Sequence, residues 1–97
     1  MSISRIGETQ AKPELIEELR DFLLSIIPLI QSSPGCEAVQ LYQSQDEPTK
    51  FLMIEVWDSV ESHRASVKNI PSELLAKIQP LLASPPSGNY FALVAKS

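Results

Sequence analysis

Three residues whose side chains could do chemistry lie close together in this chain: Glu55, Trp57 and His63. Trp57 ends an apolar run that starts at Phe51, and His63 follows six residues later. A histidine gains and loses a proton near neutral pH, and an indole offers a flat apolar surface with one N–H donor. The spacing therefore predicts a pocket for a small flat molecule, with a group beside it that can move a proton.

Two of these residues also have a plainer interpretation. Trp57 is either a core aromatic that seals a sheet against a helix or a pocket wall that stacks on an aromatic ligand. His63 is the only histidine of the chain. It is either a solvated residue of a surface helix or a general base.

Glu55 shares one strand face with Met53 and Trp57, because successive side chains of a strand alternate between its faces. If that face is covered by helices, the Glu55 carboxylate either forms an ion pair with Arg5 or Arg64, or has its pKa raised by loss of water. We favour the ion pair from the sequence.

Tyr42 and Tyr90 are further hydrogen-bond donors that could reach a pocket, or could pack at a sheet edge. The chain has no glycine-rich phosphate loop, no Ser-His-Asp order and no cluster of metal-ligand residues. We therefore predict neither a metal nor a tightly bound cofactor. Cys36 is the only cysteine, which excludes an internal disulfide, and we interpret it as a small buried strand residue.

The elements that must position these side chains follow from turns and periodicity. Pro34-Gly35 ends a helix that starts near Glu14. Beyond it, residues 36–44 and 50–57 predict a β-hairpin. The apolar positions of the helix recur every three or four residues: Leu15, Leu19, Phe22, Leu23, Ile26 and Ile30.

The remaining segments complete the order β-α-β-β-α-β. A strand is predicted over residues 2–10, a helix over 58–69 with Asp58 as its N-cap and Glu61 three residues on, a further helix over 72–82 and a last strand over 89–96. This order predicts an α+β fold of the split βαβ type. Because the strand 50–57 is apolar on both faces, we expect a second subunit to cover the face that helices leave open.

Size and charge exclude several classes. Ninety-seven residues predict a single domain over 1–97. A net charge of −4 without a basic cluster argues against nucleic acid and against an anionic membrane surface. The most apolar window, 22–30, is too short to span a bilayer and no signal peptide is evident, so we expect a cytoplasmic protein.

The chain resembles the antibiotic biosynthesis monooxygenase family of the dimeric α+β barrel superfamily. The residues that carry the resemblance are Pro34-Gly35-Cys36, Leu41-Tyr42-Gln43-Ser44, the run from Phe51 to Asp58 with Glu55-Val56-Trp57 at its core, and His63. The resemblance implies a ferredoxin-like sheet, a homodimer, a tryptophan that lines the substrate pocket and a histidine on its rim. It also implies oxidation of electron-rich phenols or hydroquinones by oxygen without a cofactor.

The leading hypothesis is a cofactor-independent monooxygenase acting on a small aromatic or quinol-like compound. His63 and Tyr42 would be catalytic, and Trp57, Met53 and Glu55 would bind the substrate. A non-catalytic metabolite-binding or stress-response module and a cofactor-free isomerase remain open as alternatives, because all three need one pocket and one or two titratable groups. The haem-degrading branch of the family is disfavoured: its axial histidine would fall within residues 72–78, where this chain has none, and no asparagine occurs in the first strand.

Overall fold

The computed structural model describes residues 1–97 as a four-stranded antiparallel sheet with helices packed on one face. The strands, in the order β2-β3-β1-β4 across the sheet, are β1 (Ile3–Gln10), β2 (Cys36–Gln43), β3 (Lys50–Trp57) and β4 (Ser87–Phe91). The helices are α1 (Ile16–Gln31), α2 (Val60–Lys68) and α3 (Ser72–Ile78), with 3-10 turns at Pro13–Leu15 and Gln79–Leu81. The predicted α+β, ferredoxin-like class is confirmed. None of the helices has the length and apolar character needed to cross a membrane.

The core lies between α1 and the middle of the sheet. Leu19 and Leu23, one turn apart on α1, are buried and join Phe51 and Met53 of β3 in one apolar cluster. Helical spacing places these two leucines on one stripe, and strand alternation places Phe51 and Met53 on one face. The sequence pattern therefore predicts both of the apolar surfaces that meet in the core.

The opposite face of β3 is apolar but has no helix over it. Leu52, Ile54 and Val56 point away from the helices and remain half-buried, whereas Trp57 on the helix side is 0% exposed. The two faces of this strand are thus covered unequally within one chain.

Helix α2 begins one residue later than the sequence suggested. Ser59, not Asp58, is the N-cap, and its hydroxyl accepts a hydrogen bond from the Ser62 amide at 3.1 Å. The Asp58 amide instead donates to the Gly35 carbonyl at 2.9 Å, which ties Asp58 to the turn before β2. The capping-box assignment of Asp58 with Glu61 is therefore wrong.

The last two elements are shorter than predicted. Helix α3 ends at Ile78, and Pro80 lies in the 3-10 turn that follows, because proline has no amide to continue an α-helix. Strand β4 ends at Phe91 instead of residue 96. Its only partner is β1, whose pairing with it extends from Glu8 to Ser4, so later residues have no strand to bond in this chain.

Candidate functional site

A cleft of about 240 Å³ opens on the helix side of the sheet, between α1 and the α2–α3 segment. Gly7 of β1 and Met53 of β3 contribute to its floor. Its apolar walls include Leu23, Ile26, Ile30, Leu41, Ile70 and Ile78. Four ionisable residues, Arg5, Glu8, Glu55 and His63, also line it, so the cleft combines apolar walls with a polar region.

His63 is buried, with 8% of its surface exposed, so it is not a solvated surface residue. Its ring lies between two aromatic rings, with centroid distances of 5.5 Å to Trp57 and 5.4 Å to Tyr90. Its Nδ1 is 2.6 Å from the Tyr90 hydroxyl. Burial lowers the pKa of His63, and the positive charges of Arg5 and Arg64 lower it further, so the imidazole is neutral at pH 7.

Glu55 does not form the ion pair that the sequence suggested. Arg5 is its cross-strand partner, but the only salt bridge of the chain joins Lys50 to Glu47 on the surface. The Glu55 carboxylate instead accepts a hydrogen bond from Trp57 Nε1 at 3.0 Å. Burial raises the pKa of Glu55, while the Trp57 hydrogen bond and the charge of Arg5 oppose this rise.

Trp57 lies behind the cleft and not on its surface. Its ring is 0% exposed, and it contacts two titratable residues that do line the cleft, His63 by its ring and Glu55 by its N–H. A direct contact between Trp57 and a substrate stays a prediction. In this structure the indole supports the groups that a ligand would meet.

Tyr42 lies on the other face of the sheet, away from His63. It pairs with Leu52 across the β2–β3 ladder, and paired residues point to the same face, so its ring is directed away from the helices. It is 49% exposed, and its hydroxyl lies 3.3 Å from the Gln40 side chain. The structure therefore does not bring Tyr42 to the cleft as the sequence had suggested. Tyr90 is the tyrosine that contacts His63.

Arg5 is a cleft residue that the sequence suggested only as a partner of Glu55. It is half-buried, and its guanidinium lies 5.0 Å from the centre of the Tyr90 ring. It also passes over Gly88, where a Cβ atom would collide with it. The alternation of β1 places Arg5 on the helix face, but this follows only once the register with β3 is known.

The turn before β2 fixes the helix that carries His63. Gly35 has φ of 91°, a conformation that favours glycine, and a Cβ there would overlap the side chains of Ser62 and Asp58. The backbone of the turn at Gly35 is thus in direct contact with the first turn of α2. This contact positions His63 relative to β3.

No group of three or more His, Cys, Asp and Glu side chains in the structure is arranged to hold a metal ion. Burial raises the pKa of the Cys36 thiol, and the charge of Glu55 adds to this rise, which keeps the thiol protonated. The reactive groups of the cleft are therefore the imidazole, the carboxyl and the guanidinium.

Comparison of the chain with known proteins identifies a family. The sequence profile described as antibiotic biosynthesis monooxygenase matches residues 2–71. A search of curated proteins found no match. A proposed antibiotic biosynthesis monooxygenase from Chloroflexus aurantiacus is 27% identical, with a TM-score of 0.75 over 100% of this chain and 98% of that one.

Two further solved structures show the same fold. A protein of unknown function from Nitrosomonas europaea is 26% identical, with a TM-score of 0.83 over 99% of this chain and 92% of that one. A protein from Mycobacterium tuberculosis is 20% identical, with a TM-score of 0.85 over 100% and 99% of the two chains. The family profile covers more than half of the chain, and the chain therefore belongs to the antibiotic biosynthesis monooxygenase family.

Proposed function

We propose that this protein is a cofactor-independent monooxygenase that oxidises a small aromatic or quinol-like compound with molecular oxygen. The observation that carries the proposal is the buried, neutral imidazole of His63 in a cleft with apolar walls, beside Arg5 and Glu55. A base of this kind removes a proton from an acidic phenol or enol. The apolar walls exclude water from the anion that forms.

The reaction needs no electrons from the protein. For an anthrone-type substrate, His63 takes the enol proton, and the delocalised anion reacts with oxygen at the ring carbon that carries hydrogen. The proton then returns to the peroxide, and loss of water from the hydroperoxide leaves a carbonyl. One oxygen atom enters the product and the other leaves in water. Arg5 faces the negative charge that develops on the substrate oxygen.

The base role sets a requirement on the His63 tautomer. If Nδ1 carries the proton and donates to the Tyr90 hydroxyl, Nε2 has a free lone pair that can accept the substrate proton. If Tyr90 donates to Nδ1, Nε2 carries the proton and His63 is a hydrogen-bond donor instead. The nitrogen chemical shifts of this single histidine distinguish the two forms.

We also propose that the protein is a cytoplasmic homodimer and that residues 1–97 form one domain of the family. The support for a dimer is the half-buried apolar face formed by Leu52, Ile54 and Val56, which no helix covers. The cleft lies on the opposite face of the sheet, so pairing through this face leaves the cleft accessible.

A cofactor-free isomerase is the second candidate, and one observation favours it. The environment lowers the pKa of His63 and raises the pKa of Glu55, so the two ordinary values move towards each other. Two groups in one cleft whose pKa values shift towards each other could remove a proton from one carbon and return it to another. Such an enzyme would convert substrate under argon, without oxygen uptake.

Oxygen uptake with anthrone as substrate tests the proposal. With ¹⁸O₂, one labelled atom should enter the anthraquinone product. His63→Gln should lower turnover by roughly 10²–10⁴-fold, whereas Tyr42→Phe, on the other sheet face, should leave it unchanged. The second-order rate constant kcat/KM should rise with pH through a value below 6.5, because His63 must be neutral.

Two outcomes would contradict the monooxygenase. Oxygen uptake no faster than without protein would favour the binding-module alternative. Full turnover in His63→Gln would remove His63 from the mechanism. The cleft volume of about 240 Å³, below the roughly 300–1,000 Å³ of typical ligand pockets, favours a compound of up to three fused rings over a macrocycle such as haem.

A further inference from the structure

Arg5 carries a positive charge into the cleft without an acceptor for its N–H groups. The side chain is half-buried, no carboxylate lies within ion-pair distance, and no hydrogen bond from the guanidinium is present in the structure. The guanidinium lies 5.0 Å from the centre of the Tyr90 ring, which accepts no conventional hydrogen bond. A partly desolvated guanidinium in this state favours binding of an oxyanion, because planar N–H pairs match a carboxylate or phenolate.

Two glycines keep this end of the cleft open. Gly88 of β4 provides the space that the guanidinium occupies, because a side chain there would collide with Arg5. Gly7, the cross-strand partner of Gly88, lines the cleft floor and has no side chain to fill it. Gly88 therefore leaves space for the Arg5 guanidinium, and Gly7 leaves space for a ligand beside it.

The apolar part of the cleft continues beyond the ionisable groups. A smaller cavity of about 80 Å³ at the C-terminal end of α1 shares Ile26, Ile30, Ser66 and Ile70 with the cleft. Phe22 and Leu74 are among its other lining residues. A ligand that fills both therefore has a ring or alkyl group on the apolar side and its polar atom near the ionisable groups.

We propose that Arg5 is the anion-recognition residue of this cleft and that the protein selects planar acids of up to three fused rings, bound by their oxyanion. The oxyanion is a carboxylate or an ionised phenol or enol, and the ring system lies over Met53 between the apolar walls. The inference rests on the proposed function, since it names the substrate class of the same site.

The other charged groups near this end do not offer the same site. Glu8 is exposed and pairs with Leu52, so its side chain points to the other face of the sheet. Arg64 is within 5.9 Å of the Tyr90 ring but is exposed and does not line the cleft. The Glu55 carboxylate is engaged by Trp57 Nε1, and a cationic ligand seated there would face the like charge of Arg5. An anion at Arg5 is thus favoured over a cation at Glu55.

Binding of three matched probes tests the inference without any turnover. They are 2-naphthoate, the ionised phenol 2,4-dinitro-1-naphtholate, and the neutral 2-naphthylmethanol, each titrated calorimetrically at pH 7.5. The His63 ring signal in proton NMR, from the only histidine of the chain, reports whether a probe reaches the cleft. Arg5→Gln removes the charge, Arg5→Lys retains it without the planar donor pair, and Arg64→Gln is the matched control.

At least one anion should bind about tenfold or more tightly than the neutral alcohol and shift the His63 signal. Arg5→Gln should weaken that anion by about 10- to 100-fold, the usual effect of losing a charge-assisted hydrogen bond. Arg5→Lys should fall between, and Arg64→Gln should bind as the wild type does. The anion that binds tighter identifies carboxylate or phenolate as the recognised group.

Equal affinity for anions and alcohol, no binding of either anion, or unchanged anion affinity in a folded Arg5→Gln protein would overturn the inference. Thermal melting of each variant shows that it is folded. Arg5-dependent binding with no oxygen uptake would support the inference and defeat the monooxygenase. If Arg5→Gln leaves oxygen uptake unchanged and all three probes bind equally, the monooxygenase is supported and the inference about Arg5 is overturned.

Discussion

Among the single residues, Trp57 connects two titratable groups of the cleft, His63 and Glu55. The edge of its ring contacts His63, and its N–H donates to Glu55, so one buried side chain orients both. A fully buried indole has one rotamer fixed by packing, and its hydrogen-bond direction is fixed with it. Trp57 can therefore influence proton transfer without meeting the substrate.

Trp57→Ala should lower the free energy of unfolding by about 3–5 kcal/mol, because the ring is 0% exposed and its removal leaves a cavity. Trp57→Phe should cost less, but its cost should be larger at pH 7.5 than at pH 4. The indole N–H that this variant lacks stabilises the ionised form of Glu55 more than the protonated form. Urea unfolding at the two pH values measures this difference. If the free energy of unfolding lost in Trp57→Phe does not change with pH, the hydrogen bond to Glu55 does not stabilise the ionised carboxylate.

Glu55→Gln should become more stable relative to the wild type as the pH rises. Folding raises the pKa of Glu55 above its ordinary value of 4.5, so the native state binds the proton more tightly than the unfolded chain does. The stabilising contribution of the protonated carboxyl is present below pH 4.5 and is lost as the pH passes the folded value. Urea unfolding of both proteins at pH 4, 5.5 and 7 tests this.

The opposite trend belongs to His63, whose folded pKa is lowered below 6.5. The neutral imidazole stabilises the fold above pH 6.5, and this stability falls as the pH drops towards the folded pKa. Glu55→Gln retains His63, so the contribution of His63 cancels when the variant and the wild type are compared at the same pH. A Glu55→Gln difference that stays constant, or that turns against the variant at pH 7, would contradict the raised pKa.

At the element scale, segments with local signals were predictable and contacts between segments were not. The strand 50–57 and the Pro34-Gly35 turn follow from alternation and turn chemistry within a few residues. The end of β4 and the N-cap of α2 depend on partners far away in the chain: β1 for the strand, and the Gly35 carbonyl for Asp58.

The candidate site divides in the same way. Glu55, His63 and Met53 were identified from type and spacing, and all three line the cleft. The burial of His63 has a signal in the sequence, since Val60 and Val67 lie three and four residues away on one helix face. Arg5 had none, because only the register of β1 with β3 places it opposite Glu55.

Two glycine substitutions test how the elements are joined. Gly35→Ala should destabilise the protein by about 2–4 kcal/mol, because alanine disfavours the positive φ and its Cβ would overlap Ser62. Gly7→Ala is the control, since its Cβ would meet only the Ser87 carbonyl at an ordinary 3.6 Å. Its stability should change by no more than about 1 kcal/mol, while 2-naphthoate should bind more weakly. Similar melting temperatures for both variants would argue against the Gly35 contact.

At the scale of the whole molecule, the uncovered face of the sheet predicts self-association. Light scattering should give the mass of a dimer at micromolar concentration, with an interface of about 2,000 Å² or more. Ile54→Lys places a charge in the middle of this face and should shift the protein towards monomer. Glu18→Lys, at an exposed position of α1 on the helix side of the sheet, is the control and should leave the dimer intact. A wild-type monomer at that concentration would defeat the proposal.

The close contact of Gly35 with Ser62 makes the two sides of the cleft unequal in their freedom to move. The start of α2 packs against the backbone at Gly35. Helix α3, in contrast, buries no residue and packs mainly on the adjoining 3-10 turn. Local opening therefore costs least at α3, so its amides should exchange with deuterium sooner than those of α2. Ile78 lines the cleft and Leu74 its apolar extension, and both lie on α3, so this opening also uncovers a bound ligand. The residence time of that ligand is then set by the stability of a seven-residue helix, far from the atoms that react.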